Sequence, residues 1–209
     1  MARNLEAKEK LSRKIGRNLF SKGARSFSAK AAVNRRPYKP GAHGKTSGPA
    51  KLSEYGKQLQ EKQIIKHVYG LLEKQFSRIF NKAQTKKGDT SVNLLTLLET
   101  RLDNVILKAG FAESKSQARQ LVNHGHFNLN GKSVDIPSIN VKPKDVITLK
   151  ENKKKSPFWQ NFTLTVPSQK PTWLQVDDSI RKITVVTEPL TEDLPTNFKT
   201  ELVIELYSR

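Results

Sequence analysis

The sequence of 209 residues contains no cysteine, and this absence excludes disulfide bonds and thiolate metal ligands. Aromatic residues make up only 7% of the chain within a hydrophobic fraction of 35%, so any core is of modest size. No apolar run reaches the length of a membrane helix, and the first ten residues, MARNLEAKEK, contain no hydrophobic signal core. We therefore expect a cytoplasmic protein that does not enter a membrane.

Acidic residues are scarce, since 19 Asp and Glu stand against 38 Lys and Arg and leave a net charge of +19. The excess is uneven: residues 1–90 hold 22 basic and 6 acidic residues, whereas residues 156–209 hold 5 and 7. Such an excess requires a polyanionic partner or costs self-repulsion. Nucleic acid is the expected partner; an anionic membrane surface is the alternative, although no long basic amphipathic helix stands out. The mildly acidic tail is better suited to a protein contact.

Sequence motifs for common catalytic chemistry are also missing. The chain has neither a G-x-x-x-x-G-K-[ST] phosphate loop nor a G-x-S-x-G nucleophile turn, so nucleotide hydrolysis and serine chemistry have no support. His124 and His126 are separated by one glycine, but no acidic residue or cysteine lies next to them to complete a metal site. The sequence therefore predicts a binding protein without a metal or cofactor, and not an enzyme.

The most regular part of the chain is residues 101–149 and the segment that leads into it. Apolar residues at helical spacing predict one helix over about residues 92–109, which ends at the following glycine. Ser114 then fits an N-cap, and Gln117 completes a capping box three residues later. The second helix is expected to run to about residue 124, where another glycine stops it.

The second helix carries two different faces. Its core face is apolar and consists of Ala118, Leu121 and Val122. Another face carries hydrogen-bond donors and no acidic residue, namely Lys115, Ser116, Arg119, Gln120 and Asn123. Charge-assisted contacts from such a stripe suit phosphate oxygens and sugar edges, so this face predicts contact with nucleic acid.

After this helix the pattern changes from helical spacing to alternation. Phe127 and Leu129 alternate with polar residues, and Asn130-Gly131 is the strongest short hairpin signal. A return strand near Val134, a turn at residues 143–145 and a strand over Val146–Leu149 follow. Two helices followed by three or four short strands predict a compact α+β module of roughly sixty residues.

The N-terminal flank is basic and only partly regular. Apolar residues between positions 5 and 20 predict one short helix, whereas residues 23–49 show little periodicity and predict a poorly ordered arm that orders between RNA helices. Residues 53–82 have a helical pattern, with Ser53 as the cap and a break expected at Gly70.

The C-terminal flank contains short elements. Residues 151–170 predict an exit linker with three aromatic residues, Phe158, Trp159 and Phe162, that can pack back. The run Ile183–Val186 predicts a strand. The alternation in Leu202–Tyr207 predicts a closing strand.

Residues 114–125 read S-K-S-Q-A-R-Q-L-V-N-H-G, and with Asn130-Gly131 and the later P-K-D-V-I-T-L they resemble the S-four RNA-binding module. Segments of both flanks extend the resemblance over nearly the whole chain to the family of bacterial small-subunit ribosomal protein S-four. The matching segments include Leu11-Ser12-Arg13, Pro40-Gly41-x-His43-Gly44, Lys170-Pro171-Thr172-Trp173-Leu174 and Glu205-Leu206-Tyr207-Ser208. Residues 152–169 depart from the charged helical stretch that is usual in that family.

The resemblance implies an α+β fold. It consists of a mostly helical basic N-terminal domain, an inserted small α+β RNA-binding module and a C-terminal segment that packs back on the helical domain. The implied boundaries are 1–51 for the basic N-terminal arm, 52–92 for the helical domain completed by 170–209, 93–155 for the module, and 156–209 for the linker and C-terminal segment.

The resemblance also implies a role in the small ribosomal subunit. Members of the family bind 16S rRNA directly, nucleate assembly of the subunit body, and contact ribosomal protein S-five at an interface that affects decoding accuracy. Basic residues after His43-Gly44 line the mRNA entry path, and Lys45 and Lys51 are the nearest matches here. The expected protein is a ribosomal component and not a homo-oligomer.

Charge, helix face and resemblance together predict a set of RNA-binding residues in both parts of the chain. Before the module these are Arg3, Arg13, Lys14, Arg17, Arg35, Arg36, His43, Lys45, Lys51, Lys62 and Lys66. From the module onward they are Arg101, Ser114, Lys115, Ser116, Arg119, Gln120, Asn123, His124, His126, Asn130 and Lys132.

Other functions use the same module. A free RNA-binding factor or an RNA-modifying enzyme is the main alternative, because Arg101-Leu102-Asp103 resembles the tripeptide that carries the catalytic aspartate in some pseudouridine synthases. Here the tripeptide lies in a Leu-rich helix, and the roughly fifty residues after position 155 are too few for a catalytic domain. A DNA-binding architectural protein is disfavoured, since no recognition-helix dimer or heptad pattern appears.

Overall fold

The computed structural model describes residues 6–20, 22–46, 48, 51–162, 171–177, 179 and 181–208. Arg3, one of the predicted RNA contacts, lies outside the described residues. The chain divides into two compact units: unit 1 comprises residues 1–91 with 196–209, and unit 2 comprises residues 92–195.

The described residues combine helices with one antiparallel sheet, which confirms the predicted α+β class. The helices before residue 90 are α1 Lys8–Ile15, α2 Ala24–Phe27, α3 Ala32–Arg35, α4 Glu54–Val68 and α5 Glu73–Thr85. Those that follow are α6 Thr90–Glu99, α7 Leu102–Lys108, α8 Lys115–Asn123, α9 Glu151–Lys154, α10 Pro157–Gln160 and α11 Thr200–Tyr207. The strands are β1 Phe127–Leu129, β2 Lys132–Val134, β3 Val146–Leu149, β4 Leu174–Asp177 and β5 Lys182–Val185.

Helices α4 and α5 of unit 1 follow their sequence signals. The Ser53 hydroxyl accepts a hydrogen bond from the Gly56 N–H at 3.2 Å and so caps α4. Gly70 ends the helical run with a φ of +64°, a conformation that glycine adopts without the steric cost of a Cβ atom. The predicted cap and the predicted break are both confirmed.

The N-terminal segment is more ordered than its composition predicts. Helix α1 ends at Gly16, so the expected helix does not reach residue 20. Residues 23–46 form α2, α3 and turns that are tied to α1: a Glu9 carboxylate oxygen accepts from the Ala32 N–H at 2.9 Å. The expectation of a poorly ordered arm is therefore wrong for these residues, because side chains of α1 satisfy their backbone groups.

The predicted closing strand near the C-terminus is wrong. Residues 200–207 form helix α11, which packs on α4. Val203 is fully buried, and one turn later the Tyr207 ring stacks on Phe80 with centroids 4.3 Å apart. No strand occurs in the described part of unit 1, so an isolated alternating run has no ladder to join and a helix satisfies its backbone instead.

The long helix predicted over residues 92–109 is in fact two helices. The chain leaves helical geometry at Thr100 and Arg101 and pairs there with the segment that follows Pro137. The Leu102 N–H donates to the Ile139 carbonyl at 2.8 Å, and the Val141 N–H donates to the Thr100 carbonyl at 2.9 Å. These tertiary hydrogen bonds replace two helical ones, and periodicity alone does not reveal them.

Helix α8 begins and ends as predicted, but its capping box is only half present. The Ser114 hydroxyl accepts from the Gln117 N–H at 3.4 Å. The Gln117 side chain reaches back past Ser114 and accepts from the Glu113 N–H at 2.8 Å. Gly125, with a φ of +62°, follows the helix end.

The sheet of unit 2 has the strand order β2-β1-β3-β5-β4, with every neighbouring pair antiparallel. The predicted hairpin is confirmed: Asn130 and Gly131 have φ values of +49° and +79°, as a two-residue type I′ turn requires. The Asn130 amide also donates to Asp145 at 2.8 Å and accepts from the Val146 N–H at 2.9 Å, which holds β3 against the turn.

The structure differs from the predicted domain boundaries after residue 155. Strands β4 and β5 extend the sheet of unit 2, so residues 171–195 lie with the module, and only residues 196–209 lie with the helical unit. Residues 151–162 form α9 and α10, and Trp159 is buried in the core with Phe111 and Phe127. The predicted linker is thus partly core, which confirms the packing back of Trp159 and Phe162, whereas Phe158 stays 40% exposed.

Candidate nucleic-acid interface

Most of the predicted basic residues of unit 1 lie on its surface. The exposed ones are Lys14, Arg17, Arg35, Arg36, His43, Lys45 and Lys51. No acidic residue occurs between Glu9 and Glu54, so this part of the surface is positive over a long stretch of chain. Exposed cations at such density suit a phosphate backbone, which carries one negative charge per nucleotide.

Arg13 is engaged with the backbone of its own unit. Its guanidinium donates at 3.2 Å to the carbonyls of Arg36 and Tyr38, and it lies 4.9 Å from the centre of the Tyr38 ring. The Lys45 ammonium lies 5.7 Å from the same ring. Arg13 therefore helps to fix the segment that presents Arg36 and Lys45, and its own RNA contact stays a prediction.

Lys62 and Lys66 are also engaged within unit 1. Their ammonium groups lie 2.8 and 3.1 Å from the Glu73 carboxylate. Partial burial raises the pKa of Glu73, but the hydrogen bonds from the two lysines outweigh it and lower the pKa below its ordinary value. The same carboxylate accepts from the Tyr207 hydroxyl at 3.3 Å. Burial, together with Glu73, raises the pKa of Tyr207 to about 12.

A cleft of about 730 Å³ opens beside α1 and α4. Leu11 and Leu59 contribute apolar surface, while Lys14, Lys39 and Lys66 contribute positive charge. Lys39 was not among the predicted RNA contacts, and its charge is the only sequence signal that points to it. The cleft makes this part of unit 1 concave as well as basic.

The donor stripe of α8 is only partly available to a ligand. Ser116, Gln120 and Asn123 face outward or lie at the surface, whereas Arg119 is only 8% exposed, with its guanidinium 3.8 Å from the Asp103 carboxylate. Arg101 is 3% exposed and donates to both oxygens of the same carboxylate, at 3.1 and 2.9 Å. The RNA contacts of Arg101 and Arg119 stay predictions, and in this structure both guanidinium groups are held by Asp103.

The acids near these residues lie outside α8. Glu99 ends α6 and Asp103 lies in α7, so a view of α8 alone shows no acidic residue. Glu99 accepts from the Asn104 amide at 2.6 Å and lies 3.7 Å from Lys108. Burial lowers the pKa of Lys115 to about 8, although the nearby Glu99 and Asp103 act in the opposite direction. We call these residues, with Arg101 and Arg119, the ionic cluster of unit 2.

The loop from α8 into the hairpin combines surface and buried groups. His124 and Lys132 are exposed, whereas the Asn130 side chain is used to hold the turn. His126 is partly buried, and its Nδ1 accepts a hydrogen bond from the Trp159 indole N–H at 2.7 Å. His126 is therefore a structural partner of the core as well as a predicted RNA contact.

This hydrogen bond makes unit 2 sensitive to acid. Burial lowers the pKa of His126 below 6.5, with the positive charges of Lys153, His124 and Lys150 acting in the same direction. Because protonated Nδ1 cannot accept, the folded state favours neutral histidine. The stabilisation is complete above the unfolded pKa of about 6.5 and is lost as the pH falls toward the lowered folded pKa.

We expect the free energy of unfolding of unit 2 to fall between pH 7.5 and 5.5, by at most about 1.4 kcal/mol per pH unit for this one proton. Urea unfolding followed by tryptophan fluorescence measures it. His126→Gln keeps an acceptor that does not titrate and should flatten the profile, whereas His124→Gln at the exposed neighbour should leave it unchanged. Identical profiles for both variants would show that His126 does not control the effect.

In the described part of the chain, no group of three His, Asp or Glu side chains is arranged to hold a metal ion. The helices of this part are all too short or too polar to cross a bilayer.

Two family models match consecutive parts of the chain. One, described as "Ribosomal protein S4/S9 N-terminal domain", matches residues 3–99, and one described as "S4 domain" matches residues 100–147. Curated proteins named "Small ribosomal subunit protein uS4" are similar over the full length. One from Heliobacterium modesticaldum is 47% identical over 96% of both chains, and one from Acetivibrio thermocellus is 48% identical over 100% of both chains.

Proposed function

The chain belongs to the ribosomal protein S-four (uS4) family, and from this premise we propose that it is a structural component of the small ribosomal subunit that binds ribosomal RNA directly. The observation that carries the proposal is the row of exposed cations in unit 1 on a stretch of chain without acids. Its function is binding in the cytoplasm, without a chemical reaction.

Two kinds of interaction contribute to RNA binding. Exposed lysines and arginines of unit 1 displace counterions from the phosphate backbone, which gives affinity that falls steeply with salt. The surface of α8, with Ser116, Gln120 and Asn123, and the nearby His124 and Lys132, offers hydrogen bonds at fixed positions that suit the shape of a folded RNA. The ionic cluster contributes indirectly because it fixes α8.

The RNA, the partner protein and the place in the subunit are proposed from membership of the family. We propose 16S rRNA as the RNA, early binding that nucleates assembly of the subunit body, and contact with ribosomal protein S-five that influences decoding accuracy. The turn-rich segment before Pro195 supports a protein contact, since it exposes Val186 and Leu190 among the acids Glu188 and Glu192. Exposed Lys45 and Lys51 support a position beside the mRNA entry path.

An RNA-modifying role finds less support. Asp103, the candidate catalytic carboxylate, is buried and receives two hydrogen bonds from Arg101. A carboxylate in this setting is a partner in an ion pair and has no open space in which to meet a base. The geometry favours a structural role for the tripeptide.

The proposal predicts how binding responds to charge removal. A triple variant, Lys14→Gln, Arg35→Gln and Arg36→Gln, should bind protein-free 16S rRNA more weakly and lower the slope of log affinity against log salt by about 0.7–0.9 for each lost phosphate contact. Each changed residue is exposed, so the fold should remain intact. Binding is measured across a salt series, with a random structured RNA as competitor.

The matched control removes the same charge elsewhere. Lys142→Gln, Lys155→Gln and Lys199→Gln change three exposed lysines outside the predicted contacts and should leave most of the slope in place. Equal slopes for the two triple variants would show that net charge alone drives association. Equal affinity of the unmodified protein for both RNAs would contradict specific rRNA binding.

A further inference from the structure

Two phenylalanines on the surface of unit 1 form an exposed aromatic pair. Phe20 is 46% exposed and Phe27 is 74% exposed, and their rings stack with centroids 5.0 Å apart and planes inclined by 26°. A pair of large aromatic rings in water loses the free energy that burial would provide. Two stacked and exposed rings offer a flat apolar surface to another molecule.

The backbone around the pair is held in an unusual conformation. Phe20 has a φ of +47°, in the left-handed region that bulky residues rarely adopt. Its N–H donates to the Asn18 side chain at 3.0 Å, and the Asn18 amide donates to the Ser26 carbonyl. The Ser26 hydroxyl in turn accepts from the Lys22 N–H at 3.0 Å. This network connects the Phe20 turn to helix α2 and keeps the two rings together although the conformation is strained.

The charges around the pair indicate the class of partner. Lys22 and Arg25 are exposed, and they lie between the two phenylalanines in sequence. The whole segment from residue 10 to residue 53 contains no acidic side chain. A partner that covers the rings must therefore tolerate or neutralise a dense positive field, which a polyanion does and an ordinary protein surface does not.

We propose that the Phe20–Phe27 pair is a stacking platform for an unpaired base of the bound RNA. The base extends the two-ring stack, while Lys22 and Arg25 contact the phosphates on either side of it. Aromatic side chains stack on any base because every base has a π-face, and such platforms occur beside positive grooves in proteins that bind single-stranded segments. This inference rests on the proposed RNA-binding function and adds a contact that does not depend on charge.

Base stacking contributes affinity that does not depend on salt, whereas phosphate contacts contribute affinity that falls with salt. The salt dependence of binding therefore distinguishes the two contributions. Phe27→Leu keeps an apolar side chain but removes the π-face, and Phe27→Tyr keeps the π-face. We expect Phe27→Leu to weaken binding of the full-length protein to 16S rRNA by roughly 5-fold to 100-fold at every salt concentration, with an unchanged salt slope. Phe27→Tyr should bind as the unmodified protein does.

Two controls accompany these variants. Arg25→Gln should reduce the salt slope, because it removes a phosphate contact. Ile136→Ala removes another exposed apolar side chain, from unit 2, and should leave the affinity unchanged. Far-UV circular dichroism of each variant checks that the fold is retained, as expected for changes at exposed positions.

Each other outcome contradicts the platform. Unchanged binding of Phe27→Leu would overturn the platform. The RNA-binding function would still stand in that case if the triple charge variant of unit 1 lowers the salt slope. An equal loss for the leucine and tyrosine variants would exclude stacking. Self-association of the unmodified protein that Phe27→Leu abolishes would assign the pair to a protein contact. Failure of the unmodified protein to prefer 16S rRNA would contradict the proposed function itself.

Discussion

Asp103→Asn is expected to destabilise unit 2 by roughly 3–5 kcal/mol, because it removes the carboxylate that two buried arginines share. Arg101 donates to it at 3.1 and 2.9 Å, and Arg119 lies 3.8 Å away. Without the negative charge, two guanidinium groups remain in an enclosed place where water cannot solvate them. The loss should therefore be far larger than that of an exposed ion pair, which is at most about 1 kcal/mol.

The two units can be followed separately in the same unfolding experiment. Both tryptophans, Trp159 and Trp173, lie in unit 2, and all four tyrosines lie in unit 1. Tryptophan fluorescence during urea unfolding therefore reports the unit that contains Asp103. Asp135→Asn is the matched control, since Asp135 is exposed in the same unit and its change should cost little.

A smaller effect would contradict the role of the ionic cluster. A loss below about 1 kcal/mol for Asp103→Asn would show that Arg101 and Arg119 reach solvent in solution. In that case Arg101 would be open to the RNA contact that the sequence predicts. A double variant, Asp103→Asn with Arg101→Gln, adds a second check, because removing one stranded cation should recover part of the lost stability if the two residues are coupled.

The elements that sequence predicted correctly are those whose signals are local. The α8 cap at Ser114, the turn at Asn130-Gly131 and the break at Gly70 depend on a few neighbouring residues and on φ angles that only certain residues adopt easily. Their success required no knowledge of which other segment packs against them.

The errors occur where a distant segment decides the outcome. Arg119 looked like a surface cation because its partner Asp103 lies on another helix, α7, and helix periodicity does not show which cations a carboxylate will enclose. The run at residues 202–207 has a spacing that suits a strand, but its neighbours are helices and it folds as α11. In both cases tertiary context outweighed the local pattern.

The exposed aromatic pair was missed for a related reason. Phe20 is the last of the apolar residues that predict the short N-terminal helix, and Phe27 lies in the segment that shows little periodicity. The helix ends earlier, at Gly16, and the chain then turns through the left-handed conformation of Phe20, which places its ring on Phe27. Nothing in the spacing of the two residues predicts that contact.

Trp159→Ala is expected to cost unit 2 about 3–5 kcal/mol, because the indole fills space in the core and its removal leaves a cavity. Trp159 is only 1% exposed, and its ring centroid lies 5.9 Å from that of Phe127 and 5.2 Å from that of Phe162. Residues 151–162 would then lose their main attachment to the unit. Urea unfolding, followed by the fluorescence of the remaining Trp173, measures the loss.

Trp159→Phe separates packing from hydrogen bonding at this position. Phenylalanine retains much of the ring contact but cannot donate to His126, so we expect a loss well below that of alanine, with about 1 kcal/mol of it due to the hydrogen bond. It should also reduce the acid sensitivity of unit 2, while burial and the nearby lysines keep part of it. Phe158→Ala, at the more exposed neighbour, is the control and should cost less than either. Should Trp159→Ala unfold like the unmodified protein, residues 151–162 would be the linker that their composition predicts, and the aromatic core of unit 2 would end at β3.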